Sequence, residues 1–148
     1  HYAEAEAAFR EVFEQDEVNS EAALGLVESL LIQGRGAEAR GILENFPPGN
    51  AWAKAESYRP LAALLAEAEG ASADLDLPPL EASLFQSARL IGWGNLPAAM
   101  DGLLDILRQD KSYRNGLPKR ALLGLFALLG DQDPLTRKYR DELASVLF

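Results

Sequence analysis

The side chains able to do chemistry fall into two groups. Asp101 and Asp105 lie four residues apart, a spacing that puts two carboxylates on one helical face where they could hold a cation. A run of Arg137, Lys138, Tyr139 and Arg140, followed by Leu143, Leu147 and Phe148, sets three cations beside an aromatic and aliphatic stripe. That mixture suits docking against another protein. Elsewhere the inventory is thin. His1 is the only histidine and there is no cysteine, so imidazole bases, thiolate nucleophiles, disulfides and paired-cysteine metal knuckles lack residues. No Gly-x-Ser-x-Gly elbow or phosphate-cradling glycine loop is present. Glu4, Glu6, Glu11 and Glu14 read as the solvated face of a helix, and Asp101 with Asp105 reads most simply the same way. The sequence therefore points away from an enzyme and assigns no catalytic, cofactor-binding or metal-binding residue. Trp52, Trp93 and Met100 are expected in the core or between helices.

The elements that would position these groups are set by Asn19 to Phe46. Ala23, Leu26, Leu30 and Leu31 share one helical face from Ser20 onward. Asn19 or Ser20 can cap its start and Gly34 can end it in a left-handed turn, before a second helix carrying Ala39, Leu43 and Phe46. Counting Ser20 as position 1 places Gly34 at 15, where a tight turn is needed, and Ala39 at 20, where two helices touch. Ala5 falls on the same position one 34-residue period earlier, and a third copy has Gly94 at 15, Ala99 at 20 and Leu103 at 24. This period and pattern resemble the tetratricopeptide repeat. The fold class expected is all-α, a tetratricopeptide-like right-handed helical solenoid of about eight helices in antiparallel pairs.

A chain of 148 residues, 48% hydrophobic, supports one domain with a substantial core. Residues 1–19 read as the second half of a truncated repeat, 20–46 as a repeat, 51–69 as a degenerate one, 80–108 as a repeat and 117–148 as a C-terminal helix pair. Pro47 and Pro48 stop a helix, Pro60 breaks or kinks the next near Arg59, and Gly70 to Pro79 is a linker by composition. The helix over 117–129 is apolar on nearly every side and is expected to be buried. The stripe of Ala5, Phe9, Val12 and Phe13 is expected to need a partner helix upstream. A start at repeat position 16 reads as a fragment.

Net charge is −9, which argues against nucleic acid as a partner, and the longest apolar run, Ala121 to Leu129, is too short to span a membrane. Residues 1–107 carry 6 basic and 18 acidic side chains, net −12, whereas 108–148 carry 8 and 5, net +3.

The tail from Leu117 to Phe148 carries a further resemblance. Its apolar helix, Leu129-Gly130 stop, Asp133-Pro134-Leu135 start and Lys138-Tyr139-Arg140-x-x-Leu143-Ala144-x-x-Leu147-Phe148 pattern is similar to the C-terminus of chaperedoxins, bacterial proteins with a thioredoxin-like domain followed by tetratricopeptide repeats. The resemblance implies a cytoplasmic, stress-linked holdase that binds unfolding clients and passes them to the bacterial chaperonin. An upstream thioredoxin-like domain would belong to the same chain. It places the chaperonin contact on Arg137, Lys138, Tyr139, Arg140, Leu143, Leu147 and Phe148. The alternative is a general scaffold that assembles another complex.

Overall fold

Glycine and asparagine punctuate the chain into two turns of the same construction. At the end of α2 (Ser20–Ile32), Gly34 adopts φ 76°, the Arg35 N–H donates to Leu30 O at 2.9 Å and the Gly34 N–H to Leu31 O at 2.9 Å. At the end of α6 (Pro79–Gly92), Gly94 adopts φ 83° and the matching bonds run from Asn95 to Leu90 and from Gly94 to Ile91. Both turns satisfy the carbonyls that a helix end leaves orphaned, and both need the left-handed conformation that glycine tolerates. The side chains of Asn19 and Asn95 then cap α2 and α7 (Leu96–Gln109), accepting from the Ala22 and Ala98 N–H at 3.0 and 3.3 Å.

The computed structural model describes residues 1–71 and 76–148. Over these the chain is all-α, a helical solenoid with no strand. Before α2 comes α1 (Tyr2–Gln15), and after it α3 (Gly36–Glu44), α4 (Trp52–Ser57) and α5 (Arg59–Gly70). After α7, a short 3-10 turn at Tyr113–Gly116 leads into α8 (Leu117–Leu129) and α9 (Pro134–Leu147). There are thus nine α-helices among the described residues rather than about eight. The extra helix comes from the kink or break expected near Arg59, which falls as a break at Tyr58 where Pro60 stands in the first turn of α5, dividing the segment into α4 and α5. Of the expected linker, Gly70 closes α5 and Pro79 opens α6, while residues 72–75 lie outside the described residues.

Helices near one another in the chain pack as neighbours: α1 on α2, α3 on α5 across the short α4, α6 on α7, with α8 covering α5 and α7 and α9 covering α7. The core runs through all of them. Ala23, Val27, Leu30 and Leu31 of α2 are fully buried, as are Leu61 and Leu64 of α5, Leu84 of α6, Met100 and Leu103 of α7 and Leu122 of α8. Ala39 and Ala99, one of each turn's companions in the repeat count, are fully buried, while Ala5 is half-buried. Three expectations need correction. Trp52 and Trp93 are exposed, each sitting at a helix end, Trp52 opening α4 and Trp93 following α6. Helix α8 is not buried all round, since Leu123 faces solvent and Leu128 and Leu129 are half-buried. The stripe on α1 is partly satisfied within the chain: Phe13 packs on the core and the Phe9 ring lies over Gly25 of α2, leaving Val12 exposed.

Close approach at small residues sets the helix spacing, and α3 shows it most sharply. A Cβ on Gly36 would lie 2.4 Å from Leu65 Cβ and 2.5 Å from the Ala66 backbone nitrogen, whereas one on Gly41 meets nothing within 4 Å. Gly41→Ala should raise stability by about 0.5–1 kcal/mol through helix propensity. Gly36→Ala should lower it by roughly 1–3 kcal/mol, because overpacking outweighs that gain; denaturant midpoints shifting in the same direction for both would disprove the close-packing account. Thr136, fully buried in α9 with no hydrogen-bond partner for its hydroxyl among the described residues, supplies a second test. An unpaired buried hydroxyl costs about 1–3 kcal/mol, so Thr136→Val is expected to raise the unfolding midpoint.

Candidate protein-interaction groove

The sequence-predicted docking residues separate once α9 is in place. Spacing of three and four along the helix turns Tyr139 and Leu143 inward onto α7. The Tyr139 hydroxyl donates to Pro97 O at 3.1 Å, and burial, followed by the Asp101 and Glu142 carboxylates, pushes its phenol up to about 12. These two residues are therefore packing residues, and Leu147 is half-buried beside them. Arg137, Lys138, Arg140 and Phe148 stay exposed. Arg137 donates to Gln132 Oε1 at 2.7 Å, and Arg140 reaches Asp131 Oδ1 at 3.0 Å while lying 5.6 Å over the Phe126 ring. Lys138 sits over Tyr139 and Phe148 has no cover at all. What the helix offers outward is three cations, Arg140 among them paired with Asp131, beside the exposed Asp141 and one bare aromatic ring.

Asp101 and Asp105 are also exposed, and Asp105 pairs with Arg108 at 2.6 Å. Among the described residues no group of three or more His, Cys, Asp or Glu side chains is placed to hold a metal ion. None of the described helices is long and apolar enough to cross a membrane.

A concave surface that the sequence did not single out borders α2. The inner face of α2 presents Gly25, Glu28, Ser29 and Ile32, flanked on one side by Tyr2 and Phe9 of α1 and on the other by Leu128, Leu129 and Asp133 where α8 gives way to α9. They enclose a cavity of about 320 Å3. A second cavity of about 370 Å3 shares Tyr2 and Ile32 and continues past Gln33 to Gly92, Trp93 and Leu96 at the α6–α7 turn. Together they form one groove with mainly apolar walls and aromatic rims, Trp93 being 68% and Tyr2 57% exposed. A concave trough with aromatic rims is the kind of surface on which repeat proteins receive a partner. At its wall Glu28 accepts the Tyr58 hydroxyl and lies 3.3 Å from Lys54 Nζ. Burial, and then Glu28, raise the Tyr58 phenol far above its ordinary range, so it remains a proton donor to that carboxylate.

The α1 wall is held to the rest by charge. Glu6 accepts from Arg10 at 2.8 Å, from Gln33 at 3.2 Å and from Arg35 across the α2–α3 turn, and Arg35 in turn grips Glu38. The Glu6 side chain is only 12% exposed. The Arg10 hydrogen bond is the leading cause that holds its carboxyl below the ordinary 4.5, with Gln33 and Arg35 adding to it against the opposing effect of burial.

Comparison with known proteins follows the same geometry. Residues 54–148 match one tetratricopeptide repeat family model and residues 1–51 match a second. The chain belongs to the tetratricopeptide repeat family, whose members present concave surfaces to protein partners. No curated protein and no solved structure matched the chain.

The α1 latch gives a pH dependence of definite sign. A carboxyl lowered by folding stabilises the fold in full above its unfolded value, and that contribution is lost as pH falls below about 4.5 toward the folded value. Thermal unfolding from roughly pH 6 to pH 3 should therefore show a shallower acid loss in Glu6→Gln than in the parent chain. Parallel curves would remove Glu6 from the latch.

Proposed function

We propose that this repeat protein is a holdase, capturing extended apolar segments of partly unfolded proteins in the groove between α1, α2 and the α8–α9 junction. The observation that carries this reading is the groove itself, an open trough with apolar walls and exposed aromatic rims at Tyr2 and Trp93. An extended segment can lay alternate side chains into such a trough, and the aromatic rims supply contact area at low entropic penalty. The exposed face of α9 supports a second contact, docking to the bacterial chaperonin through Arg137, Lys138, Arg140 and Phe148. Three cations lie close together there, and an uncovered aromatic ring near positive charge is the composition of an interface anchor. The two surfaces leave a client and an acceptor bound at different places on one molecule.

Light scattering of several unrelated unfolding proteins tests the capture step. The parent chain should suppress their aggregation, and a Tyr2→Glu, Trp93→Glu double variant should lose most of that effect while keeping its melting temperature, since both side chains stand clear of the core. Recognition of one folded partner, with no suppression, would replace the holdase with a scaffold. Docking is tested by co-elution with the chaperonin. Lys138→Glu combined with Phe148→Ser should abolish it without disturbing the fold, whereas deleting α9 would confuse the result by removing the buried Tyr139.

A further inference from the structure

Two charged side chains line the groove, Glu28 and Asp133, and both are carboxylates. We infer, resting on the reading of the groove as a site for extended polypeptide, that it selects apolar segments carrying lysine or arginine. Each carboxylate has one oxygen committed to the fold. On Glu28 the Tyr58 hydroxyl and Lys54 both address Oε2. On Asp133 Oδ1 accepts the Leu135 N–H at 2.9 Å as the cap of α9. No partner within the described residues takes Oε1 of Glu28 or Oδ2 of Asp133.

The surroundings favour a long cationic side chain over a short one or an anion. Lysine and arginine lay an aliphatic stem along apolar surface while the charged head seeks a polar partner, and Ile32 and Leu129 provide that surface beside the two carboxylates. A charge-assisted bond to carboxylate is roughly twice as strong as a neutral one. The field of the whole chain acts in the same direction, with net charge −9, raising the local concentration of cationic segments. An acidic segment would bring its charge against two carboxylates, and the cation at that wall, Lys54, is already paired with Glu28.

Fluorescence anisotropy with three labelled peptides tests this. They share one frame of alternating leucine and phenylalanine, and carry lysine, glutamine or glutamate between those residues. The lysine peptide should bind the parent chain roughly tenfold tighter than the glutamine peptide, as one charged hydrogen bond predicts, and the glutamate peptide should bind weakest. Combining Glu28→Gln with Asp133→Asn keeps an acceptor for Tyr58 and a cap for α9, and should bring the lysine peptide down to the level of the glutamine one. Equal binding of all three peptides to the parent chain overturns the selectivity while groove binding stands. A lysine preference that survives intact in the double variant also overturns it, assigning the effect to the overall charge. Binding of none of the three removes the groove reading and this inference with it.

Discussion

The distance at which helix backbones meet governs the rest of this molecule. Gly34 and Gly92 touch where the α2–α3 turn abuts the end of α6, so closely that a Cβ on Gly34 would lie 2.6 Å from Gly92 Cα. Gly36 lies against Leu65, Gly102 against Ser87, and Gly124 against Leu61. Ala39 and Ala99 are buried without remainder. Larger side chains at these crossings would push the helices apart and open voids through a core that derives its stability from contact. The repeat is thus a rule about where the chain must be small, and the large side chains fill what the small ones define.

From that spacing follows the shape of the groove. Gly25 leaves room for the Phe9 ring to lie directly on α2, which draws α1 in and makes its Tyr2 end a wall. The opposite wall comes from Leu128 and Leu129, more than a hundred residues away in sequence, placed because α8 covers α5 and α7. Buried apolar packing fixes one wall, whereas the other is tied largely by Glu6 and its three donors and by the Phe9 contact. Helix α1 itself contains no fully buried residue. The α1 wall thus rests on a half-buried aromatic contact and a largely shielded carboxylate rather than on fully buried packing.

Local chemistry was legible from sequence wherever it is decided within a few residues. Asn19, Asn95 and Asp133 cap the helices they precede, Gly34 and Gly94 close the ones they follow, and Pro60 divides α4 from α5. The 34-residue spacing of alanines placed Ala39 correctly because contact between paired helices repeats with the fold. What depends on distant neighbours was not legible. Nothing near Trp93 in sequence tells whether a later helix covers it, and none does. Tyr139 sits among cations and reads as exposed, yet the register of α9 against α7 turns it inward to Pro97. Tyr58 follows a serine and precedes an arginine in a broken helix, and its burial against Glu28 arises only because α4 returns beside α2. The groove was invisible for the same reason: its residues come from α1, α2, the α6–α7 turn and the α8–α9 junction, and no window of sequence holds more than a part of it.

The two ends of the charge distribution then acquire different roles. The trough is lined by two carboxylates, Glu28 from the net-negative stretch 1–107, paired there with Lys54, and Asp133 from the remainder. The net positive charge of the final stretch includes the outer face of α9, whose opposite face is spent on the core through Tyr139 and Leu143. A single helix therefore links the two surfaces. Its cap, Asp133, lines the groove, its inner side packs on α7, and its outer side carries Arg137, Lys138 and Arg140 to the bare ring of Phe148.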